Sequence, residues 1–350
     1  MENSQPVATP GVRPTAQEIL ADKVLDSRLS TPFRGAAARG NYLAADRADS
    51  QFAHKEICRS MATPTAQSWV ALKRTCRFLK GRPRLVYLYP VQCVDKLDVY
   101  TDTDWAGCPR TRKSTSGGSI MLGRHVVKHW SSTQSSTALS SGEAEFNGVV
   151  RGSGQGLGYQ SLLADLGIQL PLRVWTDSSA ALGICNRQGL GKLRHLDTHT
   201  LWVQQAVRLG RVDLRKIAGE QNPADLFTKH SISRDRLTML VELHGCCYRD
   251  GRAESAPAMR SADSSRATMA SAGRAIGAID VRSEPYMPHL MLSPAELDRL
   301  HPCVPVPEEE ELDDDASRER LDKDDRTLQR GMQIAATISA DMKERGRLRH

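Results

Sequence analysis

Four acidic residues lie where predicted strands end or predicted helices begin. Asp102 and Asp177 each close a strand with the pattern Val-aromatic-Thr-Asp, whereas Glu145 and Asp225 lie in predicted helices. A carboxylate at the carboxyl end of a strand projects over the sheet edge, where open α/β sheets place their sites. Hard divalent cations such as Mg²⁺ take oxygen ligands. Two such ions about 4 Å apart can activate water and stabilise the leaving oxygen in phosphodiester cleavage.

The assignment of the four acids has close rivals. Asp104 lies two residues after Asp102, and Glu143 lies two residues before Glu145. Any one of these acids alone is typical of a helix cap or a solvated surface. The complete set, in this order of elements, indicates a metal site.

The elements that would position these acids alternate between strand and helix patterns. The predicted order from residue 97 to 245 is β-β-β-α-β-α-α-β-α. The strands are predicted at 97–102, 119–122, 126–130, 172–176 and 212–217, and the helices at 137–167, 178–186, 195–209 and from Pro223 onward. Asn222 is a plausible cap for the last helix, because Pro223 suits the first helical turn.

The long helix at 137–167 is interrupted by glycines. Gly148, Gly152, Gly154, Gly156 and Gly158 each cost a helix roughly 1 kcal/mol relative to alanine. Either packing rescues the helix or it breaks near 152–158. A dinucleotide-binding loop is excluded because Leu157 and Tyr159 stand where the third glycine of GxGxxG is required.

The segments on either side of this region differ in composition. Residues 1–30 are polar and proline-containing, which predicts a flexible leader with a short helix at 16–29. Residues 31–96 contain two helical stretches, and residues 33–98 carry twelve lysines and arginines against five acids. The basic side chains of the second stretch, at 65–80, belong either to a solvated face or to a phosphate track. They are Lys73, Arg74, Arg77 and Lys80.

Residues 246–350 read as a mostly disordered tail. Serine, alanine and arginine dominate 251–283, and seven of the eight residues at 308–315 are acidic. Such a segment buries too little apolar surface to offset chain entropy. The acidic block is expected to compete with nucleic acid for the basic face of the preceding domain.

Composition argues against a membrane-spanning, secreted or disulfide-rich protein. No run of eighteen apolar residues exists, so no transmembrane helix is predicted, and the N-terminus lacks a secretory pattern. The eight cysteines are scattered without a CxxC pair, which argues against a disulfide scaffold or a structural zinc site. Free thiols favour an intracellular protein, cytoplasmic or nuclear. A net charge of +7 favours polyanionic partners rather than a membrane.

Six sequence stretches between residues 97 and 230 share a known pattern, and their combination is specific where no single stretch would be. They are Asp98-Val-Tyr-Thr-Asp-Thr-Asp-Trp-Ala-Gly107, Arg112-Lys-Ser-Thr-Ser-Gly117, Ala138-Leu-Ser-Ser-Gly-Glu-Ala-Glu145, Trp175-Thr-Asp-Ser-Ser-Ala-Ala181, Arg194-His-Leu-Asp197 and Asn222-Pro-Ala-Asp-Leu-Phe-Thr-Lys229. In order and spacing they resemble the ribonuclease H domain of copia-type retrotransposon Pol polyproteins.

The resemblance implies a fold, a reaction and a site. It implies an α/β ribonuclease H-like fold at 97–245, with a five-stranded mixed sheet flanked by helices. It implies endonucleolytic hydrolysis of the RNA strand of RNA–DNA hybrids, leaving a 3′-hydroxyl and a 5′-phosphate. Two Mg²⁺ ions, with Mn²⁺ as an alternative, would be held by the four catalytic acids Asp102, Glu145, Asp177 and Asp225. Recognition would rest on shape, 2′-hydroxyls and phosphates.

The upstream segment also resembles these polyproteins. Asn41-Tyr-Leu-Ala-Ala-Asp-Arg-Ala-Asp49 and Ala71-Leu-Lys-Arg-Thr-Cys-Arg-Phe-Leu-Lys-Gly81 match the connection between reverse transcriptase and ribonuclease H. The chain is therefore expected to be a C-terminal polyprotein fragment, with reverse transcriptase and other Pol products as partners. An aromatic-x-Asp-Asp polymerase signature is absent from the sequence. The loop at 218–222 lacks the histidine of cellular ribonucleases H, which predicts slower turnover.

Several residues admit two interpretations. Arg112 and Lys113 either contact phosphates or form a solvated turn. His195 and Asp197 match the resembling pattern, but a helix-start cap explains them equally well. Trp105, like Trp130, is expected to pack in the core. The alternative function is a non-catalytic retroelement fragment that binds nucleic acid or protein, and a degenerate relic is a third possibility.

Overall fold

The computed structural model describes residues 4–191, 194–196 and 198–251. Its α-helices are α1 (Ala16–Leu20), α2 (Ser27–Leu43), α3 (Gln51–Cys58), α4 (Ala66–Gly81), α5 (Ser141–Asp165), α6 (Ser179–Asn186), α7 (Trp202–Arg208) and α8 (Arg234–Leu243). Its strands are β1 (Arg84–Tyr87), β2 (Leu97–Asp104), β3 (Thr115–Leu122), β4 (His125–Thr133), β5 (Leu172–Thr176), β6 (Asp213–Lys216) and β7 (Cys246–Arg249). Short 3₁₀ helices lie at Ala48–Ser50, Thr198–Leu201, Gly219–Gln221 and Pro223–Phe227.

Five strands form a mixed sheet in the order β4-β3-β2-β5-β6. Within this sheet, β3 pairs antiparallel with both β2 and β4. Strand β5 runs parallel to β2, and β6 runs parallel to β5. Helix α5 connects the meander to β5, and α6 and α7 connect β5 to β6. This topology is the ribonuclease H-like fold, so the predicted fold class is confirmed.

The two faces of the sheet are covered by different elements. Leu97 and Val99 of β2 face a buried cluster with Phe146 of α5 and Val203 of α7. A second buried cluster joins Met121 of β3 to the 3₁₀ helix Pro223–Phe227 and to α8. Alternate residues of β2 therefore face different layers, as the period of two in a strand requires.

Helix α5 runs unbroken through the five glycines at 148–158, so packing rescues it. Gly152 faces β2, and a Cβ at this position would lie 2.4 Å from Cγ2 of Thr101. At Gly156, a Cβ would lie 2.7 Å from Cδ1 of Leu172 on β5. The absent side chains let the helix backbone approach the sheet, which offsets their low helix propensity.

Helices and a strand lie within the segments predicted as leader and tail. In the predicted leader, α1 is capped by Thr15, α2 begins at Ser27, and Leu25 is buried with Phe33 of α2. At the other end, β7 lies within the predicted tail and pairs antiparallel with β1. Sequence reasoning missed this pairing because the two strands have four residues each and lie far apart in the chain. The remainder of the predicted tail, from residue 252, lies outside the described residues.

Helix hydropathy and the cysteines can be compared with the sequence analysis over the described residues. Every helix there is too short or too polar to cross a membrane. The cysteines there carry free thiols, as their scattered spacing predicts.

Candidate active site

Three of the four predicted acids converge at one edge of the central sheet. Asp102, Glu145 and Asp177 each offer a carboxylate oxygen, and these atoms all lie within 4.8 Å of one another. Asp102 belongs to β2, Glu145 to the second turn of α5, and Asp177 directly follows β5. Because β2 and β5 are parallel neighbours, their carboxyl ends meet at the same edge.

Burial and mutual repulsion disfavour the simultaneous ionisation of these three carboxyl groups. Burial raises the pKa of Glu145, and the carboxylates of Asp102 and Asp177 raise it further. Burial also raises the pKa of Asp177, again with Asp102 adding to the shift. One carboxylate oxygen of Glu145, Oε2, is buried without a hydrogen-bond partner. A divalent cation fits this donor set, because it would neutralise the charge and give the orphaned oxygen a partner.

Asp225 lies beside the group of three rather than within it. The 3₁₀ helix Pro223–Phe227 begins after Asn222, whose side chain accepts from the backbone N–H of Ala224. Arg236 of α8 donates to Oδ2 of Asp225 across 2.8 Å. Burial and then the charge of Asp102 raise the pKa of Asp225, while Lys229 and Arg236 oppose that rise.

A lysine joins Asp225 to Asp102. Nζ of Lys229 lies 3.2 Å from Oδ2 of Asp102 and 3.5 Å from Oδ1 of Asp225. The neighbouring Thr228 donates its hydroxyl to the same Oδ2 of Asp102. Burial opposes the charge on Lys229, but Asp102 and Asp225 raise its pKa above the ordinary value. Two consecutive side chains thus hold the Asp102 carboxylate from the Asp225 side.

The rival acids have different surroundings. Glu143 is buried and accepts from the backbone N–H of Leu139 at 2.8 Å and from Nε2 of His195 at 2.9 Å. It therefore fixes the start of α5 and the loop that carries His195. Asp104 lies two residues beyond Asp102, and burial raises its pKa. The group of three contains Glu145 and Asp102 rather than Glu143 and Asp104. Asp197 lies outside the described residues.

Comparison with known proteins finds sequence similarity to retroelement Pol polyproteins. It is 31% identical over 233 residues to the retrovirus-related Pol polyprotein from transposon RE2 of Arabidopsis thaliana, covering 65% of this chain and 16% of the relative. It is 26% identical over 256 residues to the Pol polyprotein from transposon TNT 1-94 of Nicotiana tabacum, covering 70% and 19%. The chain is a homologue of copia-type retrotransposon Pol polyproteins. No protein-family model matches it.

The chain spans about a sixth of the length of the first Pol polyproteins that it matches. Among solved structures, LC11-RNase H1 aligns with a TM-score of 0.28 and 19% identity, over 37% of this chain and 91% of that one. The protease-reverse transcriptase of prototype foamy virus aligns with a TM-score of 0.27 and 16% identity, over 44% and 21%.

The two predicted phosphate contacts Arg112 and Lys113 lie in the loop between β2 and β3. Arg112 is exposed at its tip, with a φ of 54°, and its N–H donates to the carbonyl of Cys108. Lys113 is half-buried beside it. Trp105, predicted as a core residue, is 46% exposed, and its indole N–H donates to the carbonyl of Ala138. That prediction is wrong for Trp105 but correct for Trp130, which is buried.

The basic side chains of α4 contact the N-terminal segment. Arg74 donates to Thr9, Arg77 donates to the carbonyl of Gln5 at 2.6 Å, and Lys80 donates to the carbonyl of Ser4 at 3.0 Å. Lys73 lies over the ring of Trp69, with its Nζ 5.5 Å from the centroid. Phosphate contacts from this helix stay a prediction, and three of the four groups already donate to the N-terminal segment.

Sequence reasoning missed three side chains that hold the acids. Thr228 and Lys229 stand in a stretch that carries the resemblance, but they received no role. The spacing of Lys229, four residues after Asp225, is the signal that could have found it, because such pairs meet on a helical surface. Nothing local in the sequence connects Arg236 to Asp225.

Proposed function

We propose that the chain is a divalent-metal-dependent ribonuclease H that hydrolyses the RNA strand of RNA–DNA hybrids. The ribonuclease H-like topology and the homology with Pol polyproteins support a nuclease-type function. The observation that carries the finer proposal is the convergence of Asp102, Glu145 and Asp177, which come from three different elements. Mg²⁺ is the expected cofactor because the donor set consists of oxygen atoms.

The four acids would act as ligands. When bound, divalent cations would supply charge neutralisation and Lewis acidity toward water and the scissile phosphodiester. Asp102 is the central ligand of the proposed site, because it is the carboxylate whose charge bears on Glu145, Asp177 and Asp225 alike. Arg236 would orient Asp225 through their 2.8 Å contact.

Substrate binding would use the surface next to these acids. Arg112 and Lys113 lie in the loop that follows β2, the strand that carries Asp102, and they would supply cationic groups for the substrate. Such groups bind phosphates without reading base sequence. Shape and 2′-hydroxyl contacts would then distinguish a hybrid from duplex DNA.

The direct test is cleavage of a labelled RNA–DNA hybrid by the full chain. We expect cleavage of the RNA strand with Mg²⁺ or Mn²⁺, its loss with EDTA, and no cleavage of matched duplex DNA. Asp177→Asn serves as the inactive variant and Asp213→Asn as the control, because Asp213 is a half-buried strand residue paired with Arg215. Hybrid binding without cleavage under any metal condition would instead support the non-catalytic binding function.

A further inference from the structure

Lys229 is the cation that contacts both Asp102 and Asp225. Its Nζ bridges Asp102 and Asp225, and the Lys229 side chain is 43% exposed, whereas that of Asp102 is 2% exposed. The ammonium therefore covers the buried carboxylate from the solvent side. A lysine tip on a flexible four-carbon stem can leave such a position without moving the backbone.

The backbone that delivers Lys229 is held tightly to the sheet. Asn222 donates to the carbonyl of Thr101 at 2.9 Å, and Ser131 donates to the carbonyl of Phe227 at 2.6 Å. The ring of Phe227 is buried and stacks on His129. The position of the lysine stem is thus fixed by the fold, while its charged end depends on the carboxylates.

We propose that Lys229 is a built-in counter-cation that competes with the divalent metal for the Asp102 and Asp225 carboxylates. In the metal-free protein, its ammonium offsets the repulsion within the acidic group. When metal binds, the ammonium gives up these oxygens, so the lysine lowers the metal affinity while stabilising the metal-free fold. The inference rests on the proposed function, since it assumes that the acids are metal ligands.

Electrostatics gives the direction of the effect. Two cations cannot both approach the same carboxylate oxygen closely without repelling each other, and this repulsion is poorly screened at a buried site. Removal of the lysine charge should therefore tighten metal binding. A lysine that merely held the acids in place would have the opposite effect, because its loss would scatter the ligands.

The test measures metal binding by the full chain without nucleic acid. Isothermal titration with Mg²⁺, and separately with Mn²⁺, compares the wild type with Lys229→Met, Lys229→Arg and the control Lys23→Met. Lys23 is an exposed lysine outside the site. We expect Lys229→Met to bind either metal about tenfold more tightly. Lys229→Arg and Lys23→Met keep the charge at the site and should stay within about twofold of the wild type.

Thermal unfolding provides the second readout. In EDTA, Lys229→Met should unfold at a lower temperature than the wild type, and saturating Mg²⁺ should reverse this loss. A loss that Mg²⁺ does not reverse would show a general folding role and overturn the inference. Lys229→Gln provides a second neutral variant, should the methionine variant fail to fold.

The outcomes separate this inference from the proposed function. Equal or weaker metal binding by Lys229→Met, with normal binding by the wild type, overturns the counter-cation role alone. An absence of metal binding by the wild type and all variants overturns both the inference and the proposed metal dependence.

Discussion

Asn222 donates its side-chain amide to the backbone carbonyl of Thr101 across 2.9 Å, and both residues are buried. The same side chain accepts from the N–H of Ala224, so it caps the 3₁₀ helix and ties it to β2. Asp102 directly follows Thr101, and Asp225 lies three residues after Asn222, so this hydrogen bond links two acids that are 123 positions apart in the sequence. This one amide therefore sets where the fourth acid stands relative to the other three.

The Asn222 tie can be tested with a variant that keeps one of its two bonds. Asn222→Asp retains an acceptor for Ala224 but turns a carboxylate toward the carbonyl of Thr101. We expect the free energy of unfolding to fall by about 1–3 kcal/mol, because a buried acceptor loses its donor. Urea unfolding measures this change, and hybrid cleavage should fall with it. Wild-type stability in this variant would show that the tie contributes nothing.

Asp177→Asn should separate stability from activity. Burial and then the charge of Asp102 raise the pKa of Asp177, so folding disfavours its charged form relative to the unfolded chain. Removal of that charge should leave the metal-free protein at least as stable as the wild type in EDTA. Metal-dependent cleavage should be lost, because a ligand is gone. A variant that cleaves at the wild-type rate would contradict the assignment of Asp177.

Two glycines of α5 should respond oppositely to alanine. Gly158→Ala meets no atom within 4 Å and should stabilise the protein by up to about 1 kcal/mol. Gly152→Ala should destabilise it despite the better helix propensity, because the new Cβ would lie 2.4 Å from Thr101. Urea unfolding of both variants compares them directly. An increase in stability for Gly152→Ala would mean that α5 shifts away from the sheet at no cost.

The half-buried His129 should make the fold sensitive to acid. Burial lowers the pKa of His129 to about 4, below the ordinary value of 6.5. The unfolded chain therefore binds this proton first, and stability is lost as the pH falls from 6.5 towards 4. His129→Gln removes the group that takes up this proton on unfolding. The free energy of unfolding of the variant, relative to the wild type, should therefore rise by on the order of 1–3 kcal/mol from pH 7 to pH 4.5. A difference that does not change with pH would contradict the shift.

The salt dependence of hybrid binding should distinguish two basic surfaces. If Arg112 and Lys113 each contact a phosphate, replacing both with glutamine should reduce the log–log salt slope by about 1.8, at about 0.9 per contact for B-DNA. We expect a smaller change for Arg77→Gln with Lys80→Gln, since these groups donate to carbonyls of Gln5 and Ser4. An unchanged slope for the loop pair would identify Arg112 and Lys113 as a solvated turn.

Local sequence determined the elements and most of the acidic site. Strands that end in Val-aromatic-Thr-Asp were predictable because β-branched and aromatic residues favour strands. Their carboxylates could then be placed at one sheet edge, since neighbouring parallel strands end together. The same reasoning predicted the capping role of Asn222, which depends only on the residues that follow it.

Tertiary structure decided which way each helical side chain faces and which residues distant in sequence come into contact. Glu143 and Glu145 stand two residues apart on α5, about 200° around the helix axis, so one faces the loop of His195 and the other faces the carboxylates. Lys229 contacts Asp102, and β1 pairs with β7, although the partners lie far apart in the sequence. The exposure of Trp105 likewise depends on how distant segments pack around it. Local patterns cannot encode these relationships, because they arise only when packing sets the rotation of each helix and the order of the strands.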